Sequence, residues 1–171
     1  EKVELAMKFL ADFSGEDGNR RTMLIRNGHV IWRGEDSHLK NQVWSCTKSF
    51  LSICFGLLLE DKKISLDDYA KDFLPDLAEH YPHVQLRHLG TFLSGITNTR
   101  ENPFTAGEPR YPLASQFHYS QEPEILAYCC TAAASEPLKD LFMRRIAKPI
   151  GLSDQDFHWG ELPAQGPKGI P

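Results

Sequence analysis

No long hydrophobic run occurs in this sequence. The longest, "FLSICFGLLL" from Phe50 to Leu59, falls far short of the roughly 20 apolar residues a membrane-spanning helix needs. Charge of one sign is not in excess either. Nineteen Lys and Arg stand against 23 Asp and Glu, a net charge of −4, and the two signs are interspersed throughout. That leaves no basic stripe with which to bind nucleic acid. Cysteine is sparse: Cys46, Cys54, Cys129 and Cys130 contain no C-x-x-C pair, and adjacent cysteines rarely bond to each other. They read as free, mostly buried thiols rather than a disulfide framework. The compartment is therefore open, with periplasmic, secreted and cytoplasmic locations all compatible. Seven histidines are present, three of them in "HYPHVQLRH" (His80, His83, His88). Neither H-E-x-x-H nor a Cys/His ligand grammar accompanies them, so they read as a solvated surface, and no metal or other cofactor is expected. The chain opens on Glu1 rather than Met, as it would had a leader been removed or the sequence trimmed.

What is present suits a soluble domain with a sizeable core: 171 residues, 41% apolar and 25% charged. "VELAMKFLADF" carries Val3, Ala6, Met7, Leu10 and Phe13 at helical spacing. "TMLIRNGHVIWRG" follows, two β-rich runs around Asn27-Gly28, a strong hairpin signal because both turn positions need positive φ. From Ser45 to about Asp61 the pattern is a helix apolar almost all round, which predicts a central position. "SLDD" at Ser65 to Asp68 resembles a capping box opening a helix over "YAKDFLPDL". "VQLRHLGTFLSGI" predicts a short helix stopped by Gly95, and Asn98 to Gln116 reads as a long surface loop. Helices are predicted over Glu122–Ala134 and Pro137–Ala147, with Pro149 and Gly151 ending the second. One hairpin followed by helices, without βαβ alternation, makes the class α+β. An isolated hairpin is marginal, so a partner sheet is expected. Nothing downstream supplies it, and the chain reads as part of something longer.

The chemistry gathers in "WSCTKSF". Residues i and i+3 of a helix share a face, so Ser45 and Lys48 become neighbours at the amino-terminal end of an apolar helix. A free serine is a weak nucleophile and needs an adjacent base. A lysine desolvated by apolar side chains loses part of its preference for the charged form and can serve as that base. The helix terminus favours developing negative charge, and the serine's own N–H can face an oxyanion. The spacing alone is common. Ser37-His38-Leu39-Lys40 repeats it in a polar loop, where the lysine would be solvated, and reads as accidental.

The order of motifs carries more. A hairpin, S-x-T-K opening an apolar helix, "DDYAKDFLPDL", then "LRHLGTFLSGI" resembles the serine β-lactamase and penicillin-binding protein superfamily. The similarity is strongest to its class C-like branch of esterases, D-aminopeptidases and nylon-oligomer hydrolases. "FHYSQEPEILAYCC" and "PLKDLFMRRIAKPIGLSDQDFHWG" are similar to that branch's tyrosine motif and the phrases after it, so the resemblance runs from about Thr22 onward. It implies a β-lactamase/transpeptidase-like fold, an antiparallel sheet flanked by helices, of which residues 1–171 would form the N-terminal and helical portion of one domain, with the C-terminal strands missing from this chain. It implies Ser45 as the acylated nucleophile, Lys48 as its base, and Tyr119 as the phenol that shuttles the proton.

Two departures matter. The usual Tyr-x-Asn is Tyr119-Ser120-Gln121 here, which puts the substrate-binding amide of Gln121 one methylene farther out and favours an ester or small amide over β-lactam hydrolysis. The third motif, K-T-G or H-x-G on a strand, is not found. His88-Leu89-Gly90 and His158-Trp159-Gly160 spell H-x-G outside any strand context and read as decoys. The leading expectation is thus a serine hydrolase that forms an acyl-enzyme with a small-molecule ester, amide or peptide substrate. Without half of the oxyanion hole this segment alone should be weakly active, since one lost donor typically costs ~10²–10³ in turnover. The alternative is a catalytically inactive relative that keeps the fold as a binding or scaffolding protein. Oligomeric state is left open.

Overall fold

The computed structural model describes residues 1–14, 20–40, 42–96, 107–120 and 122–159. The chain forms two compact units, Glu1–Gln42 and Val43–Pro171. In the first, helix α1 spans Lys2–Ser14, as the apolar spacing predicts, and Met7 on it is buried. Strands β1 (Met23–Arg26) and β2 (His29–Arg33) pair antiparallel. Asn27 and Gly28 between them have φ of 49° and 77°, the left-handed pair of a turn whose twist matches that of the strands. The register slips between Leu24↔Trp32 and Ile25↔Val30, leaving Ile31 as the extra residue of a bulge. Among the described residues the sheet has two strands, and Ile25, Val30 and Ile31 stay exposed.

The second unit is helical. A 3₁₀ turn at Trp44–Cys46 leads into α2 (Thr47–Glu60), so Ser45 sits one turn ahead of the α-helix proper. The sequence predicts α2 as the central helix, but it buries fully only Cys54 and Leu58. Phe50, Leu51, Phe55, Leu57 and Leu59 are half-covered, and Ile53 is exposed. The central element is instead α5 (Glu122–Ala134), which packs against α2, α3 (Ala70–Phe73), α4 (Leu86–Gly90) and α6 (Leu138–Phe142). The reason is size. Small side chains in "AYCCTAAA" let four neighbours approach the helix axis closely, and Ile125, Leu126, Tyr128, Cys129, Cys130, Thr131 and Ala134 are all buried.

Two expected boundaries shift. Ser65 and Asp68 make one of the two hydrogen bonds of a capping box, the Ser65 N–H donating to Asp68 Oδ2 at 2.7 Å, while Ser65 Oγ accepts from the Asp67 N–H at 3.2 Å, and no helix starts there. Tyr69 instead pairs with Gln85 in an isolated bridge, and the Ala70 N–H donates to the Val84 carbonyl at 2.8 Å. Tertiary pairing therefore takes the backbone that a helix would have used, and α3 is delayed and short. Helix α4 likewise ends at Gly90, well before Gly95, because Phe92 turns to a φ of 59°. The predicted helix after Pro137 begins as α6, widens through Met143–Ala147, tightens over Lys148–Ile150 and stops at Gly151, whose φ is 83°.

Beyond Phe92 the chain runs beside the 110–118 loop. The Arg110, Ala114 and His118 N–H groups donate to the carbonyls of Gly95, Leu93 and Phe92 at 2.9, 2.9 and 3.0 Å. Gly95, at a φ of 73°, lies so close that a Cβ there would stand 2.2 Å from the Tyr111 carbonyl oxygen. Gly95→Ala is therefore expected to cost at least ~2 kcal/mol, combining left-handed strain with a backbone clash. A urea titration checks this, and a loss below ~0.5 kcal/mol would show that the loop is not fixed there.

Candidate active site

The 3₁₀ turn places Ser45 on the surface with its side chain free to meet others. One turn on, Lys48 lies on the same face of the emerging helix, its Nζ donating to Ser45 Oγ at 3.3 Å. The loop that runs beside Phe92 ends on Tyr119, whose phenolic oxygen is 2.7 Å from Ser45 Oγ. The Lys48 ammonium also stands 5.0 Å from the centroid of the Tyr119 ring, within cation–π range. Three side chains separated by up to 74 positions thus converge on one hydroxyl. Gln121, expected to bind substrate, lies outside the described residues, as does Gly160 of the second H-x-G.

The setting differs from the expectation in one respect. Lys48 is not sealed among apolar side chains but only partly buried, because α2 keeps one flank open. The electrostatic consequence appears on the tyrosine. Hydrogen bonds from Ser45 and from Lys48, with the lysine's positive charge, hold the Tyr119 phenol below its ordinary pKa. Both partners favour the phenolate, the lysine by charge and the serine by donating a hydrogen bond.

Sequence reasoning missed the aromatic support of that phenol. Phe92 stacks on Tyr119 with centroids 5.0 Å apart and planes 23° from parallel, and Phe117 meets Phe92 edge-on at 5.6 Å. Phe92 and Trp44, the residue before Ser45, both adopt left-handed backbone, with φ of 59° and 46°. Bulky side chains rarely do so, and such strain persists only where surrounding contacts hold it. The phrase "GTFLSG" contains Phe92, but no local signal distinguishes a stacking aromatic from a core one.

Glu122 was also missed, having been read only as a helix start. It is 1% exposed. Its Oε2 accepts from the Ser94 N–H at 3.4 Å, and its backbone N–H donates to Ser120 Oγ at 3.2 Å. Burial outweighs hydrogen bonding to the carboxyl and pushes it up to about 7. His88 of the first H-x-G does local duty, its Nδ1 accepting the Gln85 N–H at 3.0 Å to cap α4, and burial with the adjacent Arg87 lowers its pKa. The four cysteines are free thiols, Cys46 exposed and the others buried. Among the described residues no cluster of His, Cys, Asp and Glu converges as a metal site, and no helix is long and apolar enough to cross a membrane.

Helices with a small antiparallel sheet match β-lactamase-like structures over part of those chains. The sequence profile described as Beta-lactamase matches residues 23–171, and the chain belongs to that family, a family of serine hydrolases. Among solved structures it is similar to EstCE1, a hydrolase with promiscuous acyltransferase activity, at 19% identity and a TM-score of 0.63, over 88% of this chain and 52% of that one. It is also similar to a D-stereospecific amidohydrolase from Streptomyces sp., at 22% identity and a TM-score of 0.55, over 64% of this chain and 42% of that one. The chain thus spans about half the length of these neighbours. None of the curated proteins compared with it matches.

Two measurements follow. The Tyr119 phenol should ionise below the ordinary value near 10, and Lys48→Met should move its midpoint upward, as read by tyrosinate absorbance against Tyr119→Phe. An unchanged midpoint in Lys48→Met would remove the lysine from the phenol's surroundings. For Glu122, a folded pKa of about 7 against 4.5 means that the native state holds its proton more tightly. Its contribution to stability is complete below pH 4.5 and declines as the pH rises to about 7, a loss of roughly 2–3 kcal/mol. Glu122→Gln should flatten that slope in thermal melts at stepped pH, and an unaltered slope would assign it to another group.

Proposed function

We propose that the chain carries the acylation half-site of a serine hydrolase acting on an ester or small amide. The single observation that carries this reading is the 2.7 Å contact between Ser45 Oγ and the Tyr119 phenolic oxygen, with Lys48 Nζ 3.3 Å from the same Oγ. The tyrosine oxygen is the nearer acceptor, and its depressed pKa suits it to take the proton. Ser45 Oγ attacks the substrate carbonyl as its proton passes to the Tyr119 phenolate, and the Lys48 ammonium stabilises that phenolate before the transfer. The phenol then returns the proton to the departing alcohol or amine. An acyl-serine results, and water, activated by the same phenolate, releases the acid.

Ser45 lies in the first helical turn, where backbone N–H groups have no intrahelical partner, so its own amide is the natural donor to the oxyanion. Gln121 is proposed to reach the substrate's amide or ester carbonyl. An ester or small amide is preferred to a β-lactam because Gln121 stands where the family pattern has the shorter asparagine. Support for acyl chemistry comes from family membership and from the hydrolase and amidohydrolase named among its structural neighbours.

A fluorophosphonate probe tests this without requiring turnover. Mass spectrometry should find the adduct on Ser45, none in Ser45→Ala, and a labelling rate reduced ~10²–10⁴-fold in Tyr119→Phe. The rate should rise with pH through the Tyr119 midpoint, below pH ~10, because only the ionised phenol accepts the proton. A folded chain that takes up no probe at Ser45 would overturn the hydrolase reading.

A further inference from the structure

The Ser45–Tyr119 contact asks a surface phenol, 55% exposed, to hold a position on a loop with no helix or strand of its own. Stacking on Phe92 fixes the ring face, and the His118 N–H bond to the Phe92 carbonyl at 3.0 Å fixes the backbone on one side. On the other side the chain passes Ser120 and enters α5 at Glu122. There a fully buried carboxyl reaches back to the segment that carries Phe92: Glu122 Oε2 accepts the Ser94 N–H at 3.4 Å. The Glu122 N–H in turn donates to the Ser120 hydroxyl oxygen at 3.2 Å. Ser94 is itself anchored, its Oγ accepting the Ile96 N–H at 3.0 Å.

We infer that Glu122 is a positioning residue, whose buried carboxyl holds Ser94 while its N–H holds Ser120, so that the Tyr119 phenol stays against Ser45. Both segments that touch the tyrosine, Phe92–Ser94 and His118–Ser120, end on this one residue. A carboxyl suits the task because it offers a buried acceptor to an N–H that cannot rotate. Burial is part of the function. In water the same bonds would exchange with solvent, whereas inside the fold breaking one leaves a polar group stranded, and the clasp stays closed. A proton-bearing carboxyl keeps an acceptor oxygen for the Ser94 N–H, so the clasp holds with a neutral group as well as with the carboxylate. The geometric role stands on its own; its catalytic consequence rests on the hydrolase reading above.

The test reads Tyr119 directly, in the full chain labelled with [13Cζ]tyrosine, its resonance assigned by Tyr119→Phe. In the parent chain the phenol titrates below the ordinary value. Glu122→Leu removes every acceptor, and the midpoint should rise toward that value as the phenol drifts from Ser45 and Lys48. Glu122→Gln, whose amide oxygen still accepts the Ser94 N–H, should restore the parent midpoint, which a requirement for charge alone would not allow. Phosphonylation of Ser45 should slow on the order of 10–10²-fold in Glu122→Leu at saturating probe, with the half-saturating concentration unchanged. An unshifted Tyr119 midpoint in a folded Glu122→Leu chain overturns the inference. Should that variant fail to fold, Ser120→Ala decides: a raised midpoint supports the clasp and an unchanged one overturns it. A midpoint that follows Glu122 in a chain that never labels at Ser45 supports the clasp and counts against the hydrolase reading alone.

Discussion

A hydrogen bond between two exposed oxygens, Ser45 Oγ and the Tyr119 phenol at 2.7 Å, joins chain segments that no local structure would bring together. An exposed bond of that kind contributes about 1 kcal/mol at most to stability, so it cannot hold its own geometry. The rest of the unit must hold it. The 3₁₀ turn presents Ser45, the first turn of α2 presents Lys48, and the loop bonded to Phe92, Leu93 and Gly95 delivers Tyr119. Two bulky residues in left-handed backbone, Trp44 and Phe92, mark where that delivery is costly, each worth on the order of 1–3 kcal/mol of strain offset elsewhere.

The offset comes from α5. Its small residues allow α2, α3, α4 and α6 to pack around it, and its buried Ile125, Leu126, Cys129, Cys130 and Ala134 belong to the core of the unit. Helix α2, which follows Ser45, is peripheral by comparison, with an exposed flank at Ile53. One structural consequence is chemical. The Ser45 hydroxyl and the Lys48 side chain on this half-covered flank both favour the phenolate, and the Tyr119 titration is displaced downward. Desolvation acts instead at the far end of the tyrosine loop, on Glu122, where burial raises the carboxyl to about 7.

Much of the local structure was legible in the sequence. Asn27-Gly28 gave the hairpin turn because few other residue pairs tolerate two positive φ angles, and Glu122–Ala134 was readable as a helix to the residue. The family was legible as well, since several motifs in a fixed order constrain far more than one. Where the reading failed, a distant partner had intervened. The Ser65–Asp68 box formed one of its hydrogen bonds but not its helix, because Gln85 and Val84 claimed the following backbone. α2 looked central because hydrophobicity counts apolar atoms and not the neighbours available to cover them. Phe92 and Glu122 went unnoticed for the same reason, as neither residue type carries a mark of what it will touch.

Residue chemistry and short-range spacing were therefore fixed by the sequence itself: a hydroxyl and an amine three residues apart share a helical face by the pitch of the helix alone. Tertiary structure alone decided that Tyr119 meets that pair, that Phe92 and Glu122 brace it, and that Lys48 stays partly in solvent. Those outcomes depend on contacts across tens of residues, where loop closure and packing against α5, not local propensity, choose which side chains become neighbours.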